Sequence, residues 1–90
     1  MKTIEDRTIE IKWELMKKVS ERNSCYDWRK HLCDEGWSEE DPLLKDFLNK
    51  GDNLNNNIQN LKQELIELAC IEDMEYIQKE NEVFFKLLNI

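Results

Sequence analysis

Apolar residues in the first third of the chain fall on two lines of a single helix. Ile4, Thr8, Ile11, Leu15 and Val19 recur at helical spacing, and Ile9, Trp13 and Met16 form a second line roughly 120° around it. Two apolar stripes on one helix imply two neighbours. Thr3 followed by Asp6 has the form of a capping box, in which each side chain satisfies the other residue's free amide, so the helix is expected from there to about Arg22.

Asn23 and Ser24 interrupt the pattern, and Ser24 with Asp27 repeats the start signal. A short helix is therefore expected over 25–34, with Trp28 and Leu32 on one side and Gly36 at the left-handed position that closes its last turn. Asp41-Pro42 is the next start, since proline at the first helical position has no amide to leave unsatisfied. A second short helix is predicted from Pro42 to about Lys50, burying Leu43, Leu44, Phe47 and Leu48 and ended by Gly51.

From Asn53 to Ile90 there is no Gly, Pro, Ser or Thr. One helix over that stretch would be about 57 Å long, whereas a compact domain of this size has a radius of gyration near 12 Å. It must bend back or bury its stripe against another chain. Leu54, Ile58, Leu61, Leu65 and Leu68 follow the alternating three and four spacing of a helical seam. That seam then runs into Glu72 and Glu75, while Ile66, Cys70, Met74, Ile77, Asn81, Phe84 and Leu88 form a second, displaced stripe. Either the helix is continuous with its halves facing different neighbours, or it kinks near Glu72-Asp73. The expected fold is all-α: a small bundle of an N-terminal helix, two short helices and a long C-terminal helix, in one domain spanning 1–90.

Composition agrees with that class. Two Gly and one Pro in 90 residues supply too little turn chemistry for several hairpins. The net charge of −7 is unevenly spread: residues 1–33 carry eight Lys/Arg against six Asp/Glu, and residues 34–90 carry five against fourteen. An acidic surface repels nucleic acid and anionic membrane and favours a basic protein partner. No long uncharged apolar window exists, the opening Met1–Asp6 lacks the apolar core of a signal peptide, and Cys25, Cys33 and Cys70 have no CxxC spacing. A cytoplasmic protein with reduced thiols is expected. Small acidic helical proteins of this kind are frequent among phage and mobile-element accessory proteins, which sets a prior and no mechanism.

Candidate chemistry is sparse. Cys25, His31 and Cys33 supply three metal-ligand types at unusual spacing where tetrahedral zinc needs four, so no metal site is assigned. One histidine, no nucleophile set and no phosphate loop argue against an enzyme, and no cofactor is called for. Arg22, Tyr26, Arg29 and Lys30, with Trp28 and His31 among them, combine rings and cations as an anion or nucleotide site would. The crowded tail Phe84, Phe85, Leu87, Leu88 and Ile90 exceeds what one narrow seam can bury, so it either tucks over the Trp13 stripe or meets another molecule.

The expected function is a non-enzymatic acidic helical interaction protein, an inhibitor or regulator of a basic protein partner, acting as a homo-oligomer. Its expected interface is Trp13, Phe84, Phe85 and Leu88 with the carboxylates of Glu72, Asp73 and Glu75. Two other readings stand beside it: a nucleic-acid mimic that occupies a nucleic-acid-binding groove, and an oligomer that sequesters a small anionic ligand. Neither direct nucleic-acid binding nor membrane association is expected.

Overall fold

The computed structural model describes residues 3–72 and 75–90 and, of Glu72, the backbone alone. Its described residues form three helices and no strand: α1 Ile4–Asp34, α2 Pro42–Glu72 and α3 Glu75–Leu88. The all-helical class is as expected, but the element boundaries differ from those the local signals mark. The N-terminal helix and the first short helix are one 31-residue helix, and the second short helix continues into the stretch beyond Gly51 as another. The expected kink at Glu72-Asp73 falls outside the described residues; α2 ends at Glu72 and α3 begins at Glu75.

Several start and stop signals do act where they stand. Thr3 Oγ1 accepts from the Asp6 amide at 3.1 Å while Asp6 Oδ2 accepts from the Thr3 amide at 3.4 Å, so the capping box is closed in both directions. Gly36 has φ +100°, its amide donates to the Cys33 carbonyl and the Trp37 amide to the Leu32 carbonyl. Those two bonds are the Schellman closure of α1. Asp41 caps α2 by accepting from the Leu43 amide at 2.9 Å. Asn89, at φ 57°, closes α3 in the same way, with the Ile90 amide bonded to the Phe85 carbonyl.

The signals at Asn23-Ser24 and Gly51 are overridden because α1 and α2 pack as an antiparallel hairpin. Cross-links run along it in descending register: Arg7 to Glu64, Arg22 to Asn55 and Tyr26 to Asp52. Asn and Ser inside a helix cost a few tenths of a kcal/mol each and Gly about 1 kcal/mol, which tertiary packing over a long hairpin outweighs. Gly51 is buried with the Tyr26 ring lying against its backbone. The close approach needs a residue without Cβ.

The core runs through the hairpin and takes in α3. Ile11, Leu15 and Val19 of α1, Ile58 and Leu65 of α2 and Phe85 of α3 are its buried members, with Leu61, Leu68, Phe84, Leu88 and Ile90 packed against them. Ile58, Leu61, Leu65 and Leu68 of the Leu54 to Leu68 seam thus join the core shared with α1. Because α3 reverses onto the hairpin, it runs parallel to α1, with Lys12 Nζ 5.6 Å from the Phe84 ring centre. The molecule measures 51 × 26 × 15 Å with a radius of gyration of 16.3 Å. It is a rod, three helices thick at one end and two at the other.

Candidate interaction surfaces

Of the two stripes on α1, the structure covers one. Ile11, Leu15 and Val19 are buried, whereas Ile9, Trp13 and Met16 remain exposed, Trp13 to 68%. Among the described residues no second neighbour covers that line. α3 presents a matching row, Tyr76, Val83 and Leu87, on its own outer side, with Leu87 exposed to 77%. Ile9 and Tyr76 meet across a groove of about 430 Å³ between α1 and α3, floored by Thr8 and Ile77 and edged by Glu5, Lys12 and Glu80. The two rows therefore lie on one side of the rod. Contiguous exposed apolar area of this extent marks interaction sites in soluble proteins.

The expected partner-facing tail is placed differently. Phe85 is buried, and Phe84 and Leu88 are half-buried against the chain's own core. These three residues close the fold, and they do so over the covered stripe of α1, not over Trp13. Within that tail Leu87 alone is exposed, Phe84, Leu88 and Ile90 being half-buried. Of the carboxylates assigned with them, Glu75 is exposed, while Asp73 and the side chain of Glu72 lie outside the described residues.

A second surface sits at the hairpin end of the rod, where α1 closes and α2 starts. Between residues 34 and 46 there are six carboxylates and one lysine. Trp37, 45% exposed, and the outward Leu43 lie within this segment, and Trp28, 54% exposed, precedes it in α1, in a cleft shared with Asp27 and His31. Leu43 and Leu44 are both expected in the core; Leu44 is fully buried there, whereas Leu43, about 100° around the first turn of α2, is 44% exposed. Trp37 carries no periodic signal because it sits in the loop after Gly36, where only the backbone closure of α1 fixes it. Ion pairs His31–Glu35 and Lys45–Glu40, each 3.0 Å, engage two of the carboxylates, and both are solvent-exposed. Exposed pairs contribute at most about 1 kcal/mol, so the end remains acidic and its side chains remain available.

The cluster Arg22, Tyr26, Arg29 and Lys30 does not converge into an anion site. Arg22 and Tyr26 face α2, where Nη1 of Arg22 donates to Asn55 at 3.0 Å and the Tyr26 hydroxyl donates to Asp52 at 2.7 Å. Arg29 is half-buried and Lys30 exposed on a different side of the helix. Asp52, acting as acceptor for the hydroxyl, together with burial, holds the Tyr26 pKa above its ordinary value. The other cross-hairpin tie, Arg7, donates to both carboxylate oxygens of Glu64, at 3.0 and 2.9 Å. Glu64 in this way raises the Arg7 pKa further, with Glu10 adding to it.

Asn81 is the chain's one buried polar residue among the described ones, 2% exposed, and neither its Oδ1 nor its Nδ2 has a hydrogen-bond partner. It stands where the sequence pattern expects an apolar core residue. Cys25 is buried, Cys33 half-buried and Cys70 exposed. Among the described residues no three His, Cys, Asp or Glu side chains converge as metal ligands, and no helix is long and apolar enough to cross a membrane. A scan of protein-family models, a search of curated proteins and a search of solved structures each return no match to this chain.

Proposed function

We propose that this chain is a non-enzymatic, acidic helical interaction protein that regulates or inhibits a basic protein partner by seating its acidic, tryptophan-bearing end on that partner. The observation that carries the reading is the exposure of Trp37 and Leu43 in a segment with six carboxylates and one lysine, with the exposed Trp28 in the turns of α1 just before it. Tryptophan is the residue most enriched among interface hot spots, and a predominantly acidic segment steers a basic surface into contact. Imitation of a phosphate backbone needs the carboxylates alone. Exposed rings beside them favour a protein partner whose basic rim surrounds an apolar pocket.

The test is affinity capture from the source cell followed by titration of the captured partner with the purified chain and with a Trp28→Ala/Trp37→Ala variant. Both rings lie outside the buried core, so the variant keeps its helical spectrum. Loss of two hot-spot rings weakens binding at least tenfold, and raising salt weakens wild-type binding further. A partner bound equally well by the variant, or one whose affinity is indifferent to salt, refutes this assignment.

A further inference from the structure

We infer that the outer face of α1 and α3 is the seat of a second copy of this chain, paired about a two-fold axis running parallel to the helices. The face is formed by Ile9, Trp13, Met16, Tyr76, Val83 and Leu87, between 37% and 77% exposed. Large side chains present roughly 150–250 Å² each when free, so these six offer on the order of 700 Å² per copy. A standard interface takes about 800 Å² from each partner. One face of this rod thus approaches the size a stable dimer requires; charged side chains border it, and Glu5, Lys12 and Glu80 line the groove between its two rows.

The borders select the partner and its orientation. At about 100° per residue, the edge of α1 remote from α3 carries Asp6, Glu10, Glu14 and Glu21 with Lys17, whereas the edge of α3 remote from α1 carries Lys79 and Lys86 with Glu75 and Glu82. One edge is acidic, and the other holds the two lysines of α3. A two-fold axis across the helices would lay α1 on α1 and bring the acidic edges together. An axis along the helices lays α1 on the partner copy's α3 and sets each acidic edge beside the lysine-bearing one. That arrangement is isologous, the commonest symmetry of soluble oligomers.

Level matching supports the same pairing. Tyr76 and Ile77 lie beside Thr8 and Ile9, and Phe84 beside Lys12. An α3 residue is therefore level with the α1 residue about seventy positions earlier, and a parallel axis preserves those levels. Lys86 then falls within a turn of Glu14 of the other copy, and Lys79 beside Glu10, which already accepts from Arg7 at 3.3 Å. With helices parallel, both acidic ends emerge at the same end of the dimer. The pair becomes bivalent toward a partner with two basic sites, gaining affinity through effective concentration.

Light scattering over a concentration series tests the pairing. Wild-type mass rises to twice 10.9 kDa, and Trp13→Glu holds it at 10.9 kDa with an unchanged helical spectrum. Leu87→Glu, on the other helix, repeats the result independently of any local effect at Trp13. Glu14→Lys and Lys86→Glu each weaken self-association about two- to fivefold, and the combined exchange restores it to within about twofold. Additive losses in the double variant overturn the parallel axis. A wild-type mass of 10.9 kDa up to about 1 mM, or a dimer unaffected by Trp13→Glu and Leu87→Glu, overturns the pairing altogether. It does not rest on the proposed function: the Trp28→Ala/Trp37→Ala variant keeps the dimer mass, and Trp13→Glu keeps the acidic end, so failure of one is distinguishable from failure of the other.

Discussion

Replacing Gly51 by alanine reverses the usual sign of a glycine-to-alanine change in a helix. Away from tertiary contacts, alanine stabilises a helix interior by about 0.8–1.0 kcal/mol relative to glycine. Here a Cβ would stand 2.5 Å from Cε1, 2.9 Å from Cδ1 and 3.0 Å from Cζ of Tyr26. Ordinary contact begins near 3.4 Å, so the ring must move by roughly 1 Å as a rigid plate. Moving it takes the hydroxyl off Asp52, 2.7 Å away. Overpacking costs about 1–3 kcal/mol, and a partly exposed hydrogen bond adds about 0.5–1. The net result is a destabilisation of about 0.5–3 kcal/mol, or a fall in Tm of roughly 2–25 °C for a domain of this size. Urea unfolding followed by circular dichroism measures it, with an unchanged slope showing that the native state is intact. In a Tyr26→Ala background the clash is gone, and Gly51→Ala should then stabilise by about 1 kcal/mol. A coupling below about 0.5 kcal/mol, or a stabilising Gly51→Ala in the wild type, would refute the view that Tyr26 packing carries the helix through Gly51.

The remaining expectations concern buried and titrating groups. Asn81→Leu replaces two buried, unpaired polar atoms by apolar surface of similar volume, and should raise stability by about 1–3 kcal/mol in the same urea assay; a loss of stability would show that the amide has a partner, such as a bound water. Tyr26 contributes to stability in its protonated form, since its folded pKa lies above the ordinary value. That contribution is complete below pH 10 and is lost as pH rises from about 10 through the higher folded value. Tyr26→Phe should therefore show a flatter decline than wild type across that alkaline range, and identical profiles would remove the Asp52 bond as the cause.

Local signals were legible wherever backbone closure alone decides the outcome. Thr3 with Asp6, Gly36 after Asp34 and Asp41 before Pro42 all cap helices as their chemistry implies. Signals at Ser24 and Gly51 misled because continuation there is decided by residues distant in sequence, Asn55 and Asp52 for the first and Tyr26 for the second. Periodicity likewise separates the two stripes of α1 without showing which is covered. Ile11 and Ile9 have the same hydropathy; α2 and α3 bury one and leave the other. The displaced second stripe of the C-terminal stretch was visible in Phe84 and Leu88, but its destination depends on the reversal between α2 and α3, for which no turn residue gives a cue. Trp37, alone in a loop, carries no pattern at all.

Parallel self-pairing seats the uncovered stripe of α1 on a second copy, in an orientation that brings two acidic ends together. The most direct measurement is the dipolar distance between spin labels placed at Ser38→Cys in a Cys33→Ser/Cys70→Ser background, Cys25 being buried. Parallel pairing predicts one narrow distribution within about three helix diameters, roughly 30 Å. A separation greater than the 51 Å length of the rod, or no intermolecular coupling at dimer-forming concentration, would contradict it.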